Sequence, residues 1–353
     1  MNFGPHHYMP ILKIKRGEKA ALEQIAVALR ARITPLLEVV ERKPDKSVAA
    51  HLETAFDNLA DSVSTYPRCF IDVRELAADG PEAAVEAFAL ASASGMNFTP
   101  VTGLSRGADV GAALSHPDNG VALRLTRPEF EASGLPQRVV AFLAQHQLTP
   151  EEVDLIIDLG AAEDLIVDGV GALAAAFMAD TPHQERWRTF TISACTFPVS
   201  MGGVERHSHD LAERADWLAW RDHLHARRGQ ITRLPAYGDS AIQHPSGVKG
   251  FDPRIMQVSA SIRYALAEQW LLVKGESTRS KPPSIQFPEL ATRLVYGHLR
   301  KHFAGAGHCA GCASMKAAAD GAPKHGSAEA WRRFGTIHHI ATVMQELDSL
   351  PWP

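Results

Sequence analysis

The sequence predicts a (βα)8 barrel of the TIM type, with an open doubly wound α/β sheet as the alternative, and three observations lead there. Eight short apolar runs rich in Ile, Val, Leu and Phe recur along the chain. Stretches of good helix formers with helical spacing lie between them. Together the units occupy about 240 residues, the ordinary size of one barrel.

The first run, Ile11-Leu12-Lys13-Ile14-Lys15, alternates apolar and charged residues as a strand does. A helical pattern follows at 18–31, a strand at 33–40, a helix at 49–63, a strand at 69–73 and a helix at 81–94. Strands at 98–104 and 121–125, a helix at 137–145, a strand at 154–160 and a helix at 164–179 continue the series. It ends with a strand at 190–197, a helix at 210–225 and a strand at 234–240. Beyond residue 240 the alternation stops. Runs 261–266 and 269–274 read as an antiparallel pair, a hairpin insertion near 255–280, ahead of a last helix at 288–302. The barrel is expected to occupy 1–304, with 305–353 forming a Cys/His-rich loop and a helix packed on it.

Composition narrows the function classes. With 353 residues, 45% hydrophobic and 22% charged, the chain can bury a large core. Lys plus Arg number 36 against 40 Asp plus Glu, a formal charge of -4, so no overall basic field advertises nucleic-acid binding; a local basic patch stays open. No apolar stretch approaches the roughly 18–20 residues that span a bilayer, and residues 1–8 lack an apolar leader core, so a cytoplasmic protein without a membrane partner is expected. Four cysteines are too few for a disulfide scaffold; Cys69 and Cys195 sit in strand-like segments as small buried residues. Neither GxGxxG after the first strand, nor GxxxxGK[ST], nor HExxH occurs. Trp217 and Trp220, three apart in a helical pattern, read as core or as a partner surface.

Strand parity supplies the candidate site. Barrel strands turn an apolar face to the helices and carry polar groups inward near their carboxyl ends, where barrel active sites lie. Leu12 and Ile14 suit the helices, which sends Lys13 and Lys15 inward or upward at the mouth. The same parity turns Glu38, Asp72 and Arg124 inward, and Thr102, Asp158, Ser193, Tyr237 and Asp239 continue the ring. Two readings stand side by side. Glu38, Asp72 and Asp158 hold a divalent cation or divide acid and base roles while Lys13, Lys15 and Arg124 grip a phosphate-bearing ligand; or the ring is a layer of ion pairs without chemistry.

The tail holds a second candidate. In His308-Cys309-Ala310-Gly311-Cys312 the two-residue gap lets both thiolates reach one zinc. Four ligands close such a site, and the candidates are Cys309, Cys312, His325 and His308, with His338 or His339 as alternatives to His308. Adjacent histidines on a helix project in separate directions, so His338 and His339 do not share one ion. The other reading is an exposed loop with free thiols.

Longer motifs carry a family resemblance. The opening Tyr8-Met9-Pro10-Ile11-Leu12-Lys13-Ile14-Lys15-Arg16-Gly17-Glu18, then Thr34-Pro35-Leu36-Leu37-Glu38, Phe70-Ile71-Asp72-Val73, Thr99-Pro100-Val101, Tyr237-Gly238-Asp239, Ile262-Arg263-Tyr264 and the late Trp331-Arg332 with His338-His339 resemble the Beta protein family of bacteria and enteric satellite phages. The likeness implies a place in phage defence or toxin neutralisation, because the satellite-phage member is encoded beside a killer protein that it restrains. It supplies no catalytic residues. The expectation is a component of such a locus that binds a protein partner from a neighbouring gene or a phage component. The alternative is a barrel enzyme acting on a phosphate-containing nucleotide or nucleic acid through its charged mouth.

Overall fold

A computed structural model of the chain describes residues 3–116, 119–247, 258–323 and 326–352. The expected zinc ligand His325 lies outside the described residues. In chain order the strands are β1 (Tyr8–Lys13), β2 (Leu36–Glu38), β3 (Cys69–Asp72), β4 (Phe98–Thr102), β5 (Val121–Thr126), β6 (Val153–Ala161), β7 (Thr189–Cys195), β8 (His209–Glu213), β9 (Ala236–Asp239), β10 (Ser259–Ala265) and β11 (Gln269–Ser277). Strands β1 to β7 and β9 pair in parallel into a closed eight-stranded barrel, with β9 returning to β1. This is the (βα)8 barrel, and closure removes the open-sheet alternative.

Packing groups the chain into two compact units, one of Met1–Lys15, Arg30–Cys195 and Ala215–Ser240, the other of Arg16–Leu29, Thr196–Arg214 and Ala241–Pro353. The first is the barrel, and its interior is layered. Met9, Ile11, Leu36, Phe70, Val101, Ala122, Ile156 and Ala236 join Phe3 in one buried apolar cluster. Because side chains alternate, the residues two places further on, Lys13, Glu38, Asp72, Arg124 and Asp158, form the next inward layer toward the carboxyl ends. Two places back from Ile156 and Phe70 stand Asp154 and Arg68.

That amino-terminal layer is an ion-pair cluster on the face of the barrel associated with stability. Asp154 accepts from Arg68 Nη1 at 2.7 Å, Arg188 Nη2 at 2.6 Å and Thr189 Oγ1 at 2.7 Å. Asp154→Asn keeps the shape and removes the charge, while both arginines retain access to water. It is expected to cost about 1.5–3 kcal/mol in urea unfolding; an unchanged midpoint would show that the cluster adds nothing.

The second unit is built on a three-stranded antiparallel sheet, ordered β10-β11-β8. Ile262, Tyr264, Leu271 and Val273 of the sheet bury against Phe287, Leu290 and Leu294 of helix Pro283–Val295, Met315 of helix Ala310–Ala319, and Trp331 and Phe334 of helix Ala328–Ser349. The unit departs from a single division at residue 304. Helix Arg16–Gln24 packs on helix Ala328–Ser349, and the 209–213 segment adds an edge strand, so early and middle segments group with the tail. The stretch expected as a helix at 210–225 accordingly begins as β8, whose His209 to Glu213 pair with Val273 to Gln269, and turns helical only at Ala215. The last helix before the tail starts at Pro283, five residues ahead of the expected 288, since proline suits a first turn.

Candidate functional site

Arg124 stands at the centre of the mouth layer, 2% exposed, and three carboxylates converge on it. Its Nη1 donates to Glu38 Oε1 at 2.8 Å and Asp72 Oδ2 at 2.7 Å, while Nε and Nη2 donate to Asp158 Oδ2 at 2.9 and 2.7 Å. Strand register explains the convergence: Lys13, Glu38 and Asp72 are successive partners across β1, β2 and β3, and Asp158 is the partner of Ser193 across β6 and β7. Two further arginines reach in from the loops. Arg106, after β4, grips Asp72 through Nη1 at 2.6 Å and Nη2 at 3.2 Å. Arg74, after β3, lies 3.1 Å from Glu38 and 3.9 Å from Asp158. Asp158 also accepts from the Gly160 N–H at 2.9 Å and the Ser193 hydroxyl at 3.3 Å.

The electrostatics follow from this crowding. Burial works to raise the Asp72 carboxyl, but Arg106, Arg124 and Arg74 outweigh it and hold it well below the usual carboxylate range. Asp158 is lowered in the same way by Arg124, Arg74 and the Gly160 N–H. Arg124 itself is held above its ordinary value, since its three acids overcome the cost of burial. Asp109, whose Oδ1 accepts from Thr102 at 2.5 Å, moves the other way, pushed up by burial.

Sequence parity thus places Glu38, Asp72, Arg124 and Asp158 together, with Ser193 bonded to Asp158, and four expected members elsewhere: Lys15, Tyr237, Asp239, and Thr102, which follows the inward Val101 and bonds Asp109 instead. Lys15 lies past the end of β1, exposed, because the chain bends there toward the helix that starts at Arg16; Lys13 ends β1, half-buried. Tyr237 and Asp239 occupy the outer face of β9. Ala236 belongs to the interior cluster, and a side chain at Gly238 would meet the Met9 carbonyl and Ser193, so the inward positions of β9 hold the two smallest residues. Tyr237 instead packs edge-on against Trp217 and beside Trp220, which makes those tryptophans core. With Asp239 it closes the seam: Tyr8 donates to Asp239 Oδ1 at 2.5 Å, Tyr237 to Oδ2 at 3.0 Å, and the two tyrosine rings stack.

Parity missed Arg74 and Arg106, which belong to no strand; their place in the first turn after one was the available signal. The motif reading, which expects no GxSxG in this chain, is corrected by Gly103-Leu104-Ser105-Arg106-Gly107. There the Ser105 hydroxyl donates to the Glu129 carboxylate at 3.2 Å, not to an imidazole.

As a cation site the mouth does not fit its expected role. A divalent ion needs free carboxylate oxygens, whereas a guanidinium that stays protonated occupies the space between Glu38, Asp72 and Asp158.

The tail group fits a metal better. Donor atoms of His308, Cys309 and His338 lie within 4.8 Å of one another. Cys309 caps helix Ala310–Ala319 and its sulfur accepts the Cys312 N–H at 3.3 Å. The Cys312 thiol beside it draws Cys309 down to about 4, with further help from His338. Cys312 is pushed up, by its bond to Cys309 and by burial. His338 and His339 do diverge: His338 approaches Cys312, while His339 lies against the Trp270 ring.

A family model described as Beta protein matches residues 8–345. Among curated proteins there is no match. A solved mandelate racemase/muconate lactonizing protein from Herpetosiphon aurantiacus is similar at 14% identity and a TM-score of 0.32, over 76% of this chain and 63% of that one. Among the described residues, no helix is long and apolar enough to cross a membrane.

Proposed function

The chain belongs to the Beta protein family, and from that membership and its filled mouth we propose that it acts in the bacterial cytoplasm by binding, as a component of an anti-phage defence or toxin-neutralisation locus. The partner is the protein of a neighbouring gene or a phage component. One observation carries the reading: the acids that a barrel enzyme would use are each committed to arginines. A ligand or substrate would have to break those pairs before meeting a reactive carboxylate. The barrel then serves as a rigid scaffold. As part of the same proposal, zinc is the metal of the tail group, whose thiolate and imidazole donors favour it.

A second reading, a barrel enzyme for a phosphate-bearing nucleotide or nucleic acid, draws on Arg74, whose side chain is 25% exposed at the mouth and within reach of an anion from solvent. Stoichiometry separates the two. With the adjacent gene's product induced in the same cells, the binder is expected to restore viability in proportion to its amount and to co-purify with that product. Full protection by far less than one chain per toxin molecule would favour the enzyme and overturn the proposal.

A further inference from the structure

Resting on the zinc reading of the tail, we infer that Cys312 is the fourth ligand, so that His308, Cys309, Cys312 and His338 close a structural zinc site backed by Tyr264 and the Ala265 carbonyl. The ligands come from a loop and two helices. Cys309 and Cys312 are the cap and the third residue of helix Ala310–Ala319, so one turn presents both sulfurs on the same side. The residue before Cys312 has to be small. A side chain at Gly311 would run into the Phe334 carbonyl, and its absence lets this helix lie directly on helix Ala328–Ser349, which carries His338. Cys312 Sγ and His338 Nδ1 are consequently 3.2 Å apart in the buried seam between the helices.

Hydrogen bonds already orient both groups. His338 Nε2 lies 2.8 Å from the Ala265 carbonyl, which only accepts, so Nε2 carries a proton and Nδ1 is the nitrogen turned to the sulfurs, available as the ligand atom when a metal displaces any proton there. Metal-binding histidines show this same backing. The Tyr264 hydroxyl accepts the Ala304 N–H at 3.0 Å and stands 3.3 Å from Cys312 Sγ, where it is placed to donate once that sulfur gives up its proton to a metal. That bond stabilises a thiolate. Zinc at about 2.0–2.3 Å from each donor sets neighbouring donors roughly 3.3–3.8 Å apart. Cys312 and His338 approach that spacing; the donors of His308, Cys309 and His338 lie within 4.8 Å of one another, a group that Cys312 does not join, so the segment carrying His308 and Cys309 has to close onto the Cys312–His338 pair when the ion binds. Four protein ligands leave no open position, which makes the ion a fastener and not a catalyst.

The test uses the full chain, purified without chelator from zinc-supplemented cells, with metal content and zinc-edge X-ray absorption measured on the same sample. One zinc per chain with two sulfurs at about 2.3 Å and two nitrogens at about 2.0–2.1 Å is expected. Zinc with a single sulfur would overturn the assignment of Cys312 and leave the zinc reading standing; no zinc would remove both. Tyr264→Phe supplies a second test that leaves all four proposed ligands in place. It should keep the same shell and lose zinc to a competing chelator about 10- to 100-fold more readily, and an unchanged affinity would count against the Tyr264 bond. Both readouts are made on the isolated chain, so they stand apart from any failure of partner binding.

Discussion

Arg124→Met is expected to destabilise the barrel by about 3–5 kcal/mol or to prevent its accumulation as folded protein. The cost arises from what the substitution leaves behind. Glu38, Asp72 and Asp158 are at most 5% exposed, and each gives an oxygen to the same guanidinium. Methionine fills much of the volume but satisfies none of them. Arg106 and Arg74 retain part of the charge balance, so the loss is that of a broken network and not of three bare anions. Arg124→Lys should fall in between, because a lone ammonium keeps the charge without the planar fork that serves three acids. In thermal unfolding the methionine variant should drop by roughly 6–20 °C. A shift within experimental error would mean that water, not Arg124, solvates the acids, and the scaffold reading would lose its carrying observation.

Acid is expected to unfold the wild-type chain steeply below about pH 4. Asp72, Asp158 and Asp154 all have folded-state values depressed by arginines that overcome the effect of burial. A depressed carboxyl contributes stability that is fully present above its unfolded value, about 3.9, and is lost as pH falls toward the folded one. Each group adds up to about 1.4 kcal/mol per pH unit in that window, so three acting together approach about 4 kcal/mol per unit. Urea midpoints from pH 6 to pH 2.5 give the slope directly. Stability that stays flat to pH 3 would show that these carboxylates are not held down as the pairing requires. Asp154→Asn should reduce the slope by about one group's share, which ties that portion to the amino-terminal layer.

How far the sequence reveals such a structure depends on what each position must satisfy. Eight strands were legible because parallel barrel strands bury both faces and so appear as short apolar runs. The inward charges were legible wherever the outward neighbours were large and apolar, as with Leu37 and Val39 around Glu38 or Leu123 and Leu125 around Arg124. In β9 the rule inverts. Its inward places hold Ala236 and Gly238, while Tyr237 and Asp239 satisfy each other and Tyr8 on the outer face, so polarity there marks the wrong side. Arg74 and Arg106 escaped because long side chains from loops cross distances that strand alternation does not describe. His338 was one alternative among several: it meets Cys312 across 26 positions through the packing of two helices, which spacing within a motif does not encode. β8 resembled a helix start until the exposed edge of β11 offered its backbone a partner.

The seam of Tyr8, Tyr237 and Asp239 also sets a clock for biosynthesis. Its hydrogen-bonded ends are 231 residues apart. At about 5–20 residues per second, a ribosome takes roughly 10–45 s to deliver Asp239 after Tyr8. For that interval β1 is emerged chain with β2 beside it and its other edge without the strand that completes the ring. An unpaired edge of this kind is a template for pairing with another nascent copy. The family's opening motif thus lies on the element that waits longest, so the opportunity for nascent copies to pair wrongly falls there, before the finished barrel exists.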